Sequence, residues 1–213
     1  MKLKYYGHAC FSLRYQDGTL LVTDPFDATV PYPPCDERCT AALVTHDHFD
    51  HNCVASLPGE FKTINTAGTY QIGGVTVRTA ECFHDDQRGA LRGSNLIFRI
   101  EGDGLSIAHL GDLGCIPDHN VLGALQNVDV MLLPVGGHYT IDGETAAEIV
   151  RLTRPRTVIP MHYKVPGLTV DVAGAEDFLK RMEGVEMIDG YELEINPMTP
   201  KVACFAKCMS SAN

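Results

Sequence analysis

The most constraining stretch of this chain is seven residues long. Thr45-His46-Asp47-His48-Phe49-Asp50-His51 carries three imidazoles and two carboxylates, in the pattern H-x-H-x-D-H, directly after the apolar run AALVT. A short continuous apolar run reads as a buried strand, so the cluster stands where a strand leaves the core. Imidazole nitrogen and carboxylate oxygen are donors suited to zinc, iron or manganese. Along an extended strand end His46 and His48 project to one side and can share an ion. A turn into a helix would then carry Asp50 and His51 toward a neighbouring position.

Four donors do not close a two-ion site, and the remaining candidates also stand at strand exits. His84 closes a strand predicted over 75–83. Asp112 follows one over 105–109, in HLGDLG, with glycines on both sides for close backbone approach. His162 ends one over 157–160, in IPMHYK. A site built on a rigid β scaffold requires such placement. Further strands are expected over 3–6, 9–15 and 19–23, with Gln16-Asp17-Gly18 as a hairpin turn. Others are expected over 96–101 and 129–134. Helices are expected over 118–125, 143–152 (with Asp142 as N-cap) and 173–182. Each half then lays a sheet against the other and covers the outer faces with helices. The expectation is one α+β domain over 1–213, a four-layer αββα sandwich.

Composition limits the partners. Lysine and arginine number 17 against 27 aspartates and glutamates, a net charge of −10 with no basic run. Such a surface repels phosphate backbones and anionic lipid, which argues against nucleic-acid and membrane roles. No apolar stretch approaches the roughly 18 residues of a spanning helix, and MKLKYYGHACFSL lacks the apolar core of a signal peptide. A cytoplasmic protein is expected, with its eight cysteines as buried thiols. Cys35, Cys39, Cys204 and Cys208 form two C-x3-C pairs; unpaired thiols are the reading, a second structural zinc the alternative.

Histidines outside the ligand set divide by context. His8 in GHAC and His138 in VGGHYT are candidates to contact substrate or to support the ligands. His109 reads as packed behind Asp112, and His119 as exposed at a helix start. Asp85 could fix the tautomer of a neighbouring imidazole, and Asp47 could support the ligands likewise. Arg92 could fork onto an anionic substrate or form a surface ion pair.

Asp24 in TDPF, THDHFDH, His84, Gly111-Asp112 and His162 occur in the order of the metallo-β-lactamase superfamily, which the chain resembles over nearly its whole length. Within it GHACF, FHDDQRG, RGSN, LLPVGG and IPMHYK are similar to small bacterial and archaeal hydrolases of the L-ascorbate-6-phosphate lactonase type. The resemblance implies two divalent metal ions, zinc foremost, with manganese or iron accepted by the same donors. His46, His48 and His84 would hold the first ion, Asp50, His51 and His162 the second, and Asp112 would bridge them. Asp24 would orient the metal loop. A bridging hydroxide would attack a small, anionic ester, lactone or phosphate ester, with Asp50 as the catalytic residue that orients it. Two other classes remain: a non-catalytic metal-dependent sensor or scaffold, and a di-iron redox protein. Redox relatives resemble H-x-E-x-D-H, where this chain has His48, and carry a fused flavin domain for which 213 residues leave no room.

Overall fold

Short alternating and fully apolar runs produce strands almost throughout. The computed structural model describes residues 1–28 and 30–206. In chain order the strands are β1 (Lys2–Gly7), β2 (Cys10–Arg14), β3 (Leu20–Thr23), β4 (Ala41–Leu43), β5 (Lys62–Ile64), β6 (Thr69–Ile72) and β7 (Val75–Phe83). They continue as β8 (Ser94–Gly102), β9 (Leu105–His109), β10 (Val130–Pro134), β11 (Thr157–Met161), β12 (Val185–Ile188), β13 (Glu192–Glu194) and β14 (Val202–Phe205). Three helices are interspersed: α1 (His119–Ala124), α2 (Gly143–Thr153) and α3 (Glu176–Leu179).

Two sheets result, ordered β13-β1-β2-β3-β4-β5 and β12-β14-β11-β10-β9-β8-β7-β6. Leu3, Phe11, Leu13, Leu21 and Leu43 of the first sheet meet Val77, Phe98, Ile107, Leu132, Ile159 and Phe205 of the second in one shared core. The opposite face of the second sheet packs on α2 and α3, through Ala146, Ile149, Val150 and Phe178. Asp142 caps α2 by accepting from a backbone N–H group of the first turn, as the sequence predicts, and Asp118, expected inside the helix, caps α1 the same way. The outer face of the first sheet is covered differently. Phe26, Tyr32, Cys35, Leu57, Leu168 and Val172 close over Tyr6, Cys10, Val22 and Ala42, so loops and a single 3-10 turn (Val54–Ser56) form that layer.

The expected α+β sandwich of two packed sheets stands. The division between halves does not follow the chain midpoint, because β6 to β9 join the second sheet and β13 returns to the first. The last expected helix shrinks to the four residues of α3, and β4 ends two residues early. β5, β6, β12, β13 and β14 have no counterpart in the sequence reading. The first four are the sheet edges and mostly exposed, so hydrophobic periodicity does not mark them, whereas β14 is a buried apolar run of four residues that the reading missed.

Strand direction then places the chemistry. β1, β3 and β4 run parallel to one another, as do β7, β9, β10 and β11. His8, Asp24 and His46 follow the C-terminal ends of the first group, and His84, Asp112 and His162 follow ends in the second. Backbone bonds stitch the two sheets there: His162 N–H donates to His8 O at 2.9 Å, and Leu96 N–H to Thr45 O at 2.8 Å.

Candidate metal centre

The stitched edge gathers six histidines and three aspartates. The Asp112 carboxylate is the hub: its Oδ2 lies 3.1 Å from His84 Nε2, 3.2 Å from His162 Nε2, 3.3 Å from His51 Nε2 and 3.9 Å from His46 Nε2. Donor atoms of His46, His48 and His84 form one mutually close set, and those of His8, Asp50, His51 and His162 another; His46, His51 and Asp112 form a third between them. His46, His51, His84, Asp112 and His162 are buried, and Asp50 nearly so.

Local bonding fixes which nitrogens face inward. Asp24 accepts from Thr45 N–H and from the Thr45 hydroxyl, both at 2.8 Å, and from His51 Nδ1 at 3.0 Å. A hydroxyl has one hydrogen. Having given it to Asp24, Thr45 Oγ1 accepts from His46 Nδ1 at 2.9 Å. Both imidazoles therefore keep Nδ1 protonated and turn Nε2 toward Asp112. His46 Nε2, His51 Nε2 and Asp112 Oδ1 are buried and have no hydrogen-bond partner. Each such orphan costs about 1–3 kcal/mol, and a divalent cation among them would satisfy all three. The donor set fits a metal.

Electrostatics agree. Burial, then the charge of His51, pushes His46 down to about 3; burial, then His162, pushes His8 down to about 4. Burial opposes ionisation of Asp112, yet His162 and His51 together hold its carboxyl well below the usual range. His51 moves the other way: burial disfavours its charge, but Asp112 and Asp24 outweigh that and raise it. Neutral His46 and His8 beside an ionised Asp112 are protonation states that ligation accepts, whereas His51 would release a proton when a cation binds.

The backbone is strained where it aims these groups. His8, Asp24 and His162 hold left-handed conformations at φ of 56°, 38° and 53°, a region few non-glycine residues occupy outside functional sites. Gly111 has φ 54°, and a Cβ there would come within 2.3 Å of Asn95 Oδ1. That oxygen accepts from Asp112 N–H at 3.0 Å, while Asn95 Nδ2 donates to Leu110 O at 2.9 Å. Asn95 thus sets the Asp112 turn. The sequence reading missed it, although it ends the RGSN block.

The secondary candidates separate. His8 Nε2 lies 3.0 Å from Asp50 Oδ2, and its ring is 4.0 Å from that of His162. His109 is buried, with Nε2 2.9 Å from Ala9 O, and His119 is exposed, both as expected. Asp47 accepts from Asn52 Nδ2 at 2.6 Å rather than from an imidazole. Asp85 is a correction: it supports no imidazole. Its carboxylate accepts four backbone N–H bonds, from Gln87, Gly89, Leu91 and Arg92, at 2.8–2.9 Å. Burial works to raise its carboxyl, but these four donors hold it at about 2. His138 is a second correction. It is exposed, with Nδ1 4.0 Å from Asp171, and lines the neighbouring groove; Tyr139 faces the centre's cleft instead. The turn after His51 leads into the 3-10 turn, not an α-helix, with His51 and Asn52 N–H both donating to His48 O at 3.0 Å. Cys35 and Cys39 lie under the first sheet and Cys204 under the second, so they share no site; Cys208 lies outside the described residues.

Relatives bear on this geometry. Residues 2–162 match the β-lactamase superfamily domain. A UPF0173 metal-dependent hydrolase from Pyrobaculum arsenaticum is 33% identical, over 87% of this chain and 93% of its own length. Another, from Thermoplasma acidophilum, is 33% identical over 76% of this chain and 83% of its own. A Thermotoga maritima structure, assigned as a Zn-dependent hydrolase of the metallo-β-lactamase superfamily, superposes with a TM-score of 0.80. It is 34% identical, covering 96% of this chain and 97% of that one. The chain belongs to the β-lactamase superfamily and is one of its metal-dependent hydrolases.

Proposed function

We propose that this protein is a dinuclear hydrolase acting on small, anionic esters, lactones or phosphate esters, with residues 1–213 as one catalytic domain. The observation that carries the reading is the Asp112 hub, one carboxylate oxygen faced by four imidazole nitrogens at 3.1–3.9 Å. His46, His48 and His84 would hold one cation, Asp50, His51 and His162 the other, and Asp112 would serve both. Zinc suits the nitrogen-rich set best, and manganese or iron are accepted by the same donors. When bound, the pair supplies a water activated near neutral pH and polarises the oxygen of the scissile group.

The chain's own residues prepare that chemistry. Asp24 holds His51 and, through Thr45, His46 in the tautomers that present Nε2. His8 donates to Asp50 and fixes a carboxylate that would otherwise rotate at the cleft's edge. Asn95 pins the backbone of Asp112. An open cleft of about 680 Å³ reaches His48, Asp50, His84, Asp112 and His162, a volume typical of small-molecule sites.

A cytoplasmic setting is supported by the seven described cysteines, all free thiols. Among the described residues no helix is long and apolar enough to cross a membrane. The net charge of −10 favours small substrates over nucleic acid.

The test has two parts. Elemental analysis of freshly purified protein should give two ions per chain. Metal-loaded wild type should then hydrolyse members of a lactone and phosphodiester panel, while Asp50→Ala does not. Two bound ions with no turnover across the panel would replace the hydrolase reading with a metal-dependent sensor.

A further inference from the structure

The cleft walls differ in chemistry from its buried end, and they select a substrate shape. Arg92 lines the cleft, its guanidinium 5.5 Å over the Tyr139 ring. Among the described residues no carboxylate pairs with it and no hydrogen bond from its side chain is formed. Its backbone is not loose. Arg92 N–H donates to Asp85 Oδ2 at 2.8 Å, one of the four bonds that fold the 85–92 loop around that carboxylate. An unpaired guanidinium on an anchored loop, with a flat ring beneath it, is a preorganised anion receptor.

Phe49 supplies a second anchor. It interrupts the ligand motif itself, lies 66% exposed, and lines the same cleft together with Val170. An aromatic ring held in water beside buried polar groups gains when an apolar surface covers it. The two acids on the cleft rim do not compete for Arg92. Asp47 is engaged by Asn52, and Asp171 is largely solvated near His138.

We propose that the substrate has two arms around its scissile bond. A carboxylate or phosphate arm is gripped by Arg92 over Tyr139, and an apolar arm lies on Phe49 and Val170. This deepens the hydrolase reading above and rests on it for the reaction, though not for binding.

The experiment uses the full-length, metal-loaded protein. Turnover is compared for 4-nitrophenyl hydrogen adipate, its terminal phosphonate analogue and its uncharged carboxamide. Binding is measured separately by calorimetry with adipic acid monoanilide and its carboxamide. Wild type should favour the charged esters by about 10–100-fold in kcat/KM, the worth of one charge-assisted bidentate contact. Whichever of the carboxylate and phosphonate arms shows the larger preference identifies the natural anion. Arg92→Ala should erase that preference through KM, leave the carboxamide ester within about twofold, and weaken the charged anilide by a similar factor. Arg92→Lys should restore only part, because a point charge lacks the fork. Phe49→Ser should weaken both anilides alike and leave the charge preference intact. Turnover or anilide binding indifferent to charge, or unaffected by Arg92→Ala, overturns the two-armed subsite while leaving the hydrolase reading standing. No turnover, with anilide binding still dependent on Arg92, overturns the hydrolase reading and keeps the subsite. Neither turnover nor binding overturns both.

Discussion

The two ends of this sandwich use the same residue for opposite purposes. At one end Asp17 and Asp103 fasten turns: Asp17 accepts from Thr19 N–H and Gly74 N–H, and Asp103 from Gln16 N–H. The Gly74 and Gln16 bonds cross between the sheets, and both aspartates stand in exposed turns. At the other end Asp24 and Asp112 are buried among imidazoles, and Asp112 Oδ1 has no partner at all. A carboxylate saturated by backbone donors closes a loop. A buried carboxylate short of donors and ringed by nitrogen lone pairs holds a cation. Asp85 lies between these extremes, standing next to His84 yet spent entirely on its loop.

The sharpest way to break this contrast is to exchange the two kinds of aspartate. Asp112→Asn should release metal and lower kcat/KM by about 10³-fold or more, read by elemental analysis and hydrolysis. Asp17→Asn should leave both unchanged and lower only the melting temperature, by a small amount. If Asp112→Asn keeps its metal, the hub is not a ligand.

His8 sharpens the comparison within the buried end. His8→Ala removes the bond to Asp50 but no proposed ligand, so it should cost about 10–100-fold in kcat while the bound ions remain. Loss of one ion per chain would instead make His8 part of the donor set.

Protons should act mainly on the buried end. His8 and His46 have folded pKa values near 4 and 3, below the usual imidazole value of about 6.5. Between about pH 6.5 and 4 the unfolded chain therefore binds protons that the folded chain refuses, and stability falls as pH falls. The raised pKa of His51 contributes stability that is already complete below 6.5. The lowered Asp112 contributes stability that is lost only below about pH 4. The chelated protein should thus lose about 5 °C or more in melting temperature from pH 6.5 to 4.5 by circular dichroism. A flat profile would contradict the buried, neutral imidazoles.

The smallest effect tests Asp85. Asp85→Asn should keep metal content and the carboxamide turnover of the two-armed test, while raising KM for the charged ester severalfold as the loop bearing Arg92 loosens. An effect on metal content would return Asp85 to the imidazoles.

Much of this was legible in one dimension. His46, His48, Asp50 and His51 are contiguous, and their donor types speak for metal wherever the segment folds. His84, Asp112 and His162 declare themselves by standing just after segments the sequence reads as strands. Asn95 and the receptor environment of Arg92 were not legible. An asparagine reads as a turn former, and an arginine's lack of a partner is a property of its surroundings. His138 misled because it stands in a glycine-rich loop next to Tyr139, and a one-residue step in a left-handed turn decides which side chain enters the cleft.

By itself, then, the sequence determined which atoms can bind a cation and that strands would carry them, since both follow from side-chain chemistry and local periodicity. Only the tertiary structure decided that His8 meets Asp50 across 42 residues and that Asp112 meets four imidazoles. It also decided that Asp85 is consumed by backbone. Convergence of this kind depends on sheet pairing and strand direction, which are settled by packing the shared core rather than by any short stretch of chain.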